Sequence, residues 1–340
     1  MRTARTPVPP ARFHELVNAV CEDRYAAEDL QTFGEIEDWD VSEIEDFSRA
    51  FQGRATFRRD LSNWNTSRAT TMSHMFAGAT MFDADLASWN VGRVVTFDCM
   101  FHNARAFRGA GLSGWNTSAA TSMRAMFADA RVFDADLSRW DVSRVTNMRA
   151  MFHGAECFDH PLENWDTRRV TNMRGMFGRA RAFNRPLGRW NVSHVTTLRG
   201  VFNGAECFDQ SLERWNVGSV VTLRDAFRGA AAFRGTGLES WNVGSVVTLR
   251  SAFEDARAFV GGAGLERWDV RRVTTLRSAF QGAESFACSL GAWDLRAATD
   301  MAYMLAGATR YPRGGAGADL ERWSSRVDVN CTNLFGGVVV

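Results

Sequence analysis

Seven arginines recur at matched positions in seven consecutive stretches of the chain: Arg124, Arg149, Arg174, Arg199, Arg224, Arg250 and Arg277. A row of guanidiniums can bind a carboxylate-rich partner, phosphate or a nucleic-acid backbone through charge-assisted, bidentate contacts. The simpler expectation is a solvated face, since Glu156, Glu206, Glu254 and Glu284 lie close in sequence. No aromatic residue interleaves with the row, so single-stranded bases would have no stacking platform. A second set is acidic, with Asp85, Asp136, Glu213, Glu239 and Glu266 as its representatives. It could meet a basic partner, but its acids lack the dense ligand spacing of a calcium loop, and Asp at a turn more often bonds backbone amides. A third set is the glycines Gly235, Gly237, Gly261, Gly262 and Gly264, which sit in short insertions. Such loops can carry recognition, or can lengthen a turn without adding any contact.

Catalytic chemistry finds little purchase. The six histidines, His14, His74, His102, His153, His160 and His194, are scattered, and no repeated slot supplies a nucleophile, a base and an orienting acid together. The basic residues are all Arg, so a phosphate loop with its Gly-Lys-Ser or Gly-Lys-Thr is excluded. The expectation is a non-enzyme without cofactor or metal.

The elements that position these residues are repeats. Twelve tryptophans fall at Trp39, Trp64, Trp89, Trp115, Trp140, Trp165, Trp190, Trp215, Trp241, Trp268, Trp293 and Trp323, with 25 to 30 residues between neighbours. Phe or Leu follows each Trp by twelve residues, from Phe51 to Phe335. A period of this size predicts a solenoid in which each repeat buries its apolar face against its neighbours. Within Phe133 to Phe158, alternation around Asp136 predicts a short strand. Asp141 and Ser143 predict a helix N-cap, and Val145, Met148, Met151, Phe152 and Ala155 predict a helix of about three turns. Gly154, and Gly, Asn or Asp in the same slot of most repeats, predict a left-handed C-cap, with Arg179 breaking the pattern. The fold expected is therefore an α/β repeat solenoid, leucine-rich-repeat-like. Each repeat would carry one short parallel strand and one helix, curved with the sheet on the concave face because strands stack more closely than helices. On this scheme the arginines form a convex stripe, the acids line the concave face, and the glycines form edge loops.

The motif W-[DN]-[VT]-S-x-V-T-x-M-x-x-M-F-x-G-A-x-x-F, seen at Trp64, Trp115, Trp140, Trp165 and Trp190, resembles the BspA-like leucine-rich-repeat surface proteins over about Phe33 to Phe335. The resemblance implies a surface, adhesion or interaction protein. After Trp190 the core Met gives way to Leu198, Leu223, Leu249 and Leu276, and the next slot shrinks to Val201, Ala226, Ala252 and Ala279, which predicts closer helix packing.

The organisation expected is a capping helix segment over 1–32, a continuous array of about twelve repeats over 33–335 and a tail over 336–340, with Phe13, Leu16, Val17 and Val20 as the apolar stripe of the cap. Forty basic and 39 acidic residues leave a net charge of +1, which argues against a generally basic nucleic-acid binder. No apolar run is long enough to span a membrane, and the first twenty residues lack the apolar core of a signal peptide. That favours an intracellular setting, whereas the resemblance implies the cell surface. Six cysteines in mismatched slots predict free, mostly buried thiols. The function these readings point to is a scaffold for protein interaction; a surface adhesin and a structural subunit of a large organellar or viral assembly are the alternatives.

Overall fold

A computed structural model describes residues 6–262, 264–312 and 329–336. Trp323, most of the Gly-rich insertion after Ala308 and the tail beyond Gly336 lie outside the described residues. Two compact units divide the chain, Met1–Asp166 and Thr167–Val340.

The first unit opens with α1 (Phe13–Cys21) and α2 (Ala27–Phe33). Phe13, Leu16 and Val17 of α1 are buried. Phe13 packs edge-on against Phe47 at 5.2 Å and Trp64 at 5.9 Å, which closes the apolar end of the first repeats. Arg12 grips both carboxylate oxygens of Asp29 at 3.0 and 3.1 Å, tying the two helices together, and Arg54 reaches back from the first repeat to Asn18 and Glu22.

Beyond α2 the described repeats contain neither the predicted strand nor the predicted helix. Among the described residues, successive repeats meet through isolated one-residue parallel bridges. In the first unit these run Asp46, Thr71, Thr96, Ser122 and Asn147; in the second they run from Asn172 through Thr197, Thr222, Thr248, Thr275 and Asp300 to Asn330. The segment expected to be helical, 143–154, is a succession of turns around the Asn147 bridge. The segment expected to be a strand around Asp136 is an Asx turn, in which the Ser138 amide donates to Asp136 Oδ1 at 2.8 Å. The α/β leucine-rich-repeat architecture is therefore overturned. The curvature expected from wide helices behind a narrow sheet loses its premise.

Hydrogen bonding gives the physical reason. In the repeat after Trp115, the amides of Met123, Ala125, Phe127 and Asp129 donate to the carbonyls of Asn147, Arg149, Met151 and His153 in the next repeat. The alternate amides of Met126, Ala128 and Ala130 close turns on the carbonyls of Met123, Ala125 and Phe127, three residues back. Half of the amides thus bond within the repeat and half between repeats, leaving none for the four-residue spacing of an α-helix. Two left-handed residues per repeat enforce this path. One is the slot read as a helix C-cap, such as Gly154 (φ 68°), and Arg179 adopts it too (φ 57°). The other lies four residues earlier, at Ala125 (φ 51°), Ala150 (φ 55°) and Asp225 (φ 57°), where glycine stands in only some repeats, as at Gly175 and Gly200. A left-handed non-glycine residue costs roughly 1–2 kcal/mol, offset here by the bonds its neighbours make to the next repeat.

The apolar positions are nevertheless buried: Val145, Met148, Met151, Phe152, Ala155 and Phe158 all have zero exposure. Consecutive three-residue turns return side chains to one side about as often as a helix would, so the spacing reports burial and not helicity. Stacked columns result. In the first unit Phe51, Phe76, Phe101, Phe127 and Phe152 lie face to face with centroids 5.3–5.8 Å apart. In the second, the corresponding Phe177, Phe202, Phe227, Phe253 and Phe280 lie 5.4–5.7 Å apart. Smaller neighbours at Ala226, Ala252 and Ala279 therefore do not close up helices, since there are none in these repeats.

Each indole is pinned as well as stacked. Trp140 Nε1 donates to the Leu112 carbonyl at 2.8 Å and Trp268 Nε1 to that of Leu238 at 3.0 Å, the same bond one repeat back. The residue after Trp caps the next turn: Ser143 donates to Asp141 Oδ1 at 2.9 Å and Ser193 to Asn191 Oδ1 at 3.0 Å. The predicted N-caps are thus Asx turns.

Candidate interaction surface

The arginine row is set by the bridge column. Each Arg lies two residues after a bridging Asn, Thr or Ser, and that side chain accepts the Arg amide in most repeats, as Asn147 does for Arg149 (3.1 Å) and Thr222 for Arg224 (3.2 Å). The Arg carbonyl accepts from the preceding repeat, as in Ala125 to Arg149 and Asp225 to Arg250. Bonding from both sides holds the Cα atoms of the row on a repeating backbone. The row therefore runs beside the bridge ladder and not along a convex helical face. Arg124 and Arg149 belong to the first unit; Arg174, Arg199, Arg224, Arg250 and Arg277 belong to the second.

The guanidiniums differ in what they touch. Arg124 Nε pairs with Asp98 at 3.2 Å. Arg199 Nε and Arg224 Nε converge on one carboxylate oxygen of Asp225, at 3.8 and 3.2 Å. Arg277 lies 3.8 Å from Asp300 and 5.5 Å from the centroid of the Tyr303 ring. Arg149 and Arg250 are exposed and make no side-chain ion pair among the described residues. The expected neighbours Glu156, Glu206, Glu254 and Glu284 pair instead with other arginines: Arg131, Arg181, Arg228 and Arg257. Asp225 is the residue that the sequence reading missed. Its signal was an acidic residue in a slot held by Gly175, Gly200, Ser251, Ser278, Tyr303 and Asn333 in the other repeats of that unit.

The acids singled out as a concave face sit at turns preceding the Trp column, and no sheet lies beneath them. Asp85 and Asp136 accept the amides of Ala87 and Ser138, and the Ser138 bond holds the Asp136 carboxyl below the usual range. Glu213, Glu239 and Glu266 fall in the same slot of three consecutive repeats of the second unit. Glu239 and Glu266 cap the amides of Gly237 and Gly264, both at 2.9 Å, and backbone amides lower the Glu266 carboxyl. Most of this set thus serves turn closure.

The edge glycines are structural in the same sense. Gly235, Gly237, Gly261 and Gly264 have φ between 92° and 119°, and a Cβ added at any of them would come within 2.7 Å of the neighbouring repeat. At Gly262 the nearest atom would be 3.9 Å away. Short 3-10 turns, Leu238–Ser240 and Leu265–Arg267, follow the insertions and return Leu238 and Leu265 to the core.

All six cysteines are free thiols, but only Cys99 is buried; Cys157 and Cys207 are exposed, against the expectation of burial. Each occupies a slot beside the Phe column whose side chain faces outward. Cys288 is half-buried with its Sγ 3.8 Å from Glu266 Oε2. Desolvation, and then the nearby carboxylate, push its thiol up to about 11. Because the thiolate is the nucleophile, iodoacetamide at pH 8 should label Cys157 and Cys207 well before Cys288. Peptide mass spectrometry of timed aliquots checks this, and early labelling of Cys288 would contradict the arrangement.

Register-stacked turns around aromatic columns, with polar rows repeating on the outside, define a tandem-repeat protein. The chain belongs to the family described as "Mycoplasma protein of unknown function, DUF285", whose profile matches residues 22–133, 108–215 and 196–323. That agrees with the BspA-like resemblance at the level of a tandem-repeat family. No curated protein matches the chain. Among solved structures, "Crystal structure of TLR13-ssRNA13 complex" aligns at 12% identity over 70% of this chain and 42% of that chain, with a TM-score of 0.23. The chain spans less than half of that protein, and a likeness this slight carries no argument about fold or ligand. Among the described residues no helix is long and apolar enough to cross a membrane.

Proposed function

We propose that the chain is a non-catalytic repeat scaffold that binds another macromolecule, a protein partner, through its exposed polar rows. The observation that carries this reading is the double anchoring of each row. The carbonyls of Arg124, Arg149, Arg199, Arg224, Arg250 and Arg277 each accept from the preceding repeat, so like side chains are presented in fixed order before any partner arrives. Presenting contacts in advance lowers the ordering cost of a broad interface built from individually weak bonds. Membership of a tandem-repeat family supports the same reading, as does the use of the candidate acids Asp85, Asp136, Glu239 and Glu266 to close turns.

The test is native co-purification from the source organism, followed by reconstitution from purified components. The comparison is between the unmodified chain and a variant with Arg199, Arg224 and Arg250 changed to Glu, whose circular dichroism must match. The expected result is a stoichiometric partner that re-forms a complex with the pure chain. A chain that forms no complex with any purified candidate, or that turns over a substrate, would overturn the scaffold reading.

A further inference from the structure

We propose that the arginine ladder of the second unit is a docking site for an acidic, extended protein segment, with carboxylates as the recognised groups. The proposal rests on the scaffold reading and names its partner chemistry. Five consecutive rungs, Arg174, Arg199, Arg224, Arg250 and Arg277, follow five bridging residues linked in one parallel series. Bridged strands lie about 4.8 Å apart, so the ladder covers roughly 19 Å. An extended peptide rises about 3.3 Å per residue, so roughly six residues span it, presenting a side chain to the ladder at every second position.

Charge and ligand chemistry both point to carboxylate. Among the described residues, the four rungs from Arg199 to Arg277 face two carboxylates, Asp225 and Asp300, so these rungs keep an excess of two positive charges. One intramolecular contact already displays the proposed recognition, because Asp225 places an oxygen between two successive rungs, Arg199 and Arg224. A partner carboxylate would take the equivalent place between Arg224 and Arg250, where the Asp225 slot of the next repeat holds Ser251. Arg250 is exposed with no ion pair of its own among the described residues. Nucleic acid fits less well. The row is one arginine wide, the aromatic that lies against it, Tyr303, sits at its Arg277 end and not between rungs, and the whole chain carries a net charge of only +1.

Fluorescence anisotropy with a labelled decapeptide of alternating Glu and Ser tests this at low salt, using the full chain. The Gln-Ser decapeptide and a 12-base-pair DNA duplex serve as comparison probes. The Glu-Ser peptide should bind, the Gln-Ser peptide should not, and affinity should fall as salt screens the contacts. Arg199→Gln, Arg224→Gln and Arg250→Gln together should weaken binding about tenfold, given three exposed charge pairs. Asp225→Asn removes the internal competitor while keeping a side chain that tolerates the left-handed backbone, and it should tighten binding about threefold. A purely structural role for Asp225 predicts no gain, so this variant remains decisive if the triple variant folds poorly. The proposal fails if the Glu-Ser peptide does not bind, if either variant leaves its affinity unchanged, or if the duplex binds more tightly with the same arginine dependence. A purified partner that still binds the triple variant would leave the scaffold reading standing while removing the ladder as its site.

Discussion

Trp140→Ala is expected to cost about 4 kcal/mol, the scale of deleting a large buried aromatic from a tightly packed core. The indole is 3% exposed, lies parallel to Trp115 at 6.1 Å and tilts against Phe127 at 6.1 Å, so its removal opens two columns at once. It also removes one of two donors to the Leu112 carbonyl, which accepts its Nε1 proton at 2.8 Å and the Trp115 amide at 3.1 Å. Trp140→Phe separates the two effects. It keeps an aromatic ring in the stack but removes the indole bond, leaving the Leu112 carbonyl with the Trp115 amide alone, for an expected loss of about 1 kcal/mol. Repeats that contact only their neighbours can unfold locally. The measurement is therefore hydrogen exchange resolved by peptide, alongside urea unfolding. Loss of protection should centre on the repeats from Trp115 to Trp165, and a Phe variant as stable as the parent would show that the indole bond contributes nothing.

The second large effect is expected at Gly237. Its φ is +94°, and a Cβ there would lie 2.2 Å from the Glu213 amide nitrogen and 2.7 Å from the Glu213 Cα. Both are backbone atoms of the adjacent repeat and cannot rotate away. Gly237→Ala should therefore cost about 3 kcal/mol, combining an unfavourable φ with forced separation of two repeats. Gly262→Ala is the matched comparison. It also has positive φ, +55°, but a Cβ would meet nothing closer than 3.9 Å, so about 1 kcal/mol is expected. Denaturant unfolding of both variants checks the difference. Equal, small losses would mean that the insertion at Gly237 is slack and free to serve recognition.

These two predictions mark what repetition made legible. Each Trp, and the Phe or Leu twelve residues later, could be assigned to a column before any fold was known, because like residues at a constant period must stack on one another. The core positions Val145, Met148, Met151 and Phe152 were legible too, and all are fully buried. The left-handed slot at Gly154 was visible because glycine marks it. Asp141 and Ser143 were recognised as closers of free amides, although the structure they close is a turn.

The sequence by itself therefore determined the register of the repeats, the composition of the core and the order of the outward-facing arginines. Only the tertiary structure decided what backbone carries them. Burial at a spacing of three to four residues is common to an α-helix and to consecutive turns, and side-chain pattern alone does not separate the two. The choice lies with main-chain amides such as those of Ala125 and Phe127, whose acceptors are carbonyls more than twenty residues away, at Arg149 and Met151. No local propensity encodes such a bond. It exists only once the next repeat is in place, and the same stacking puts Asp225 between Arg199 and Arg224.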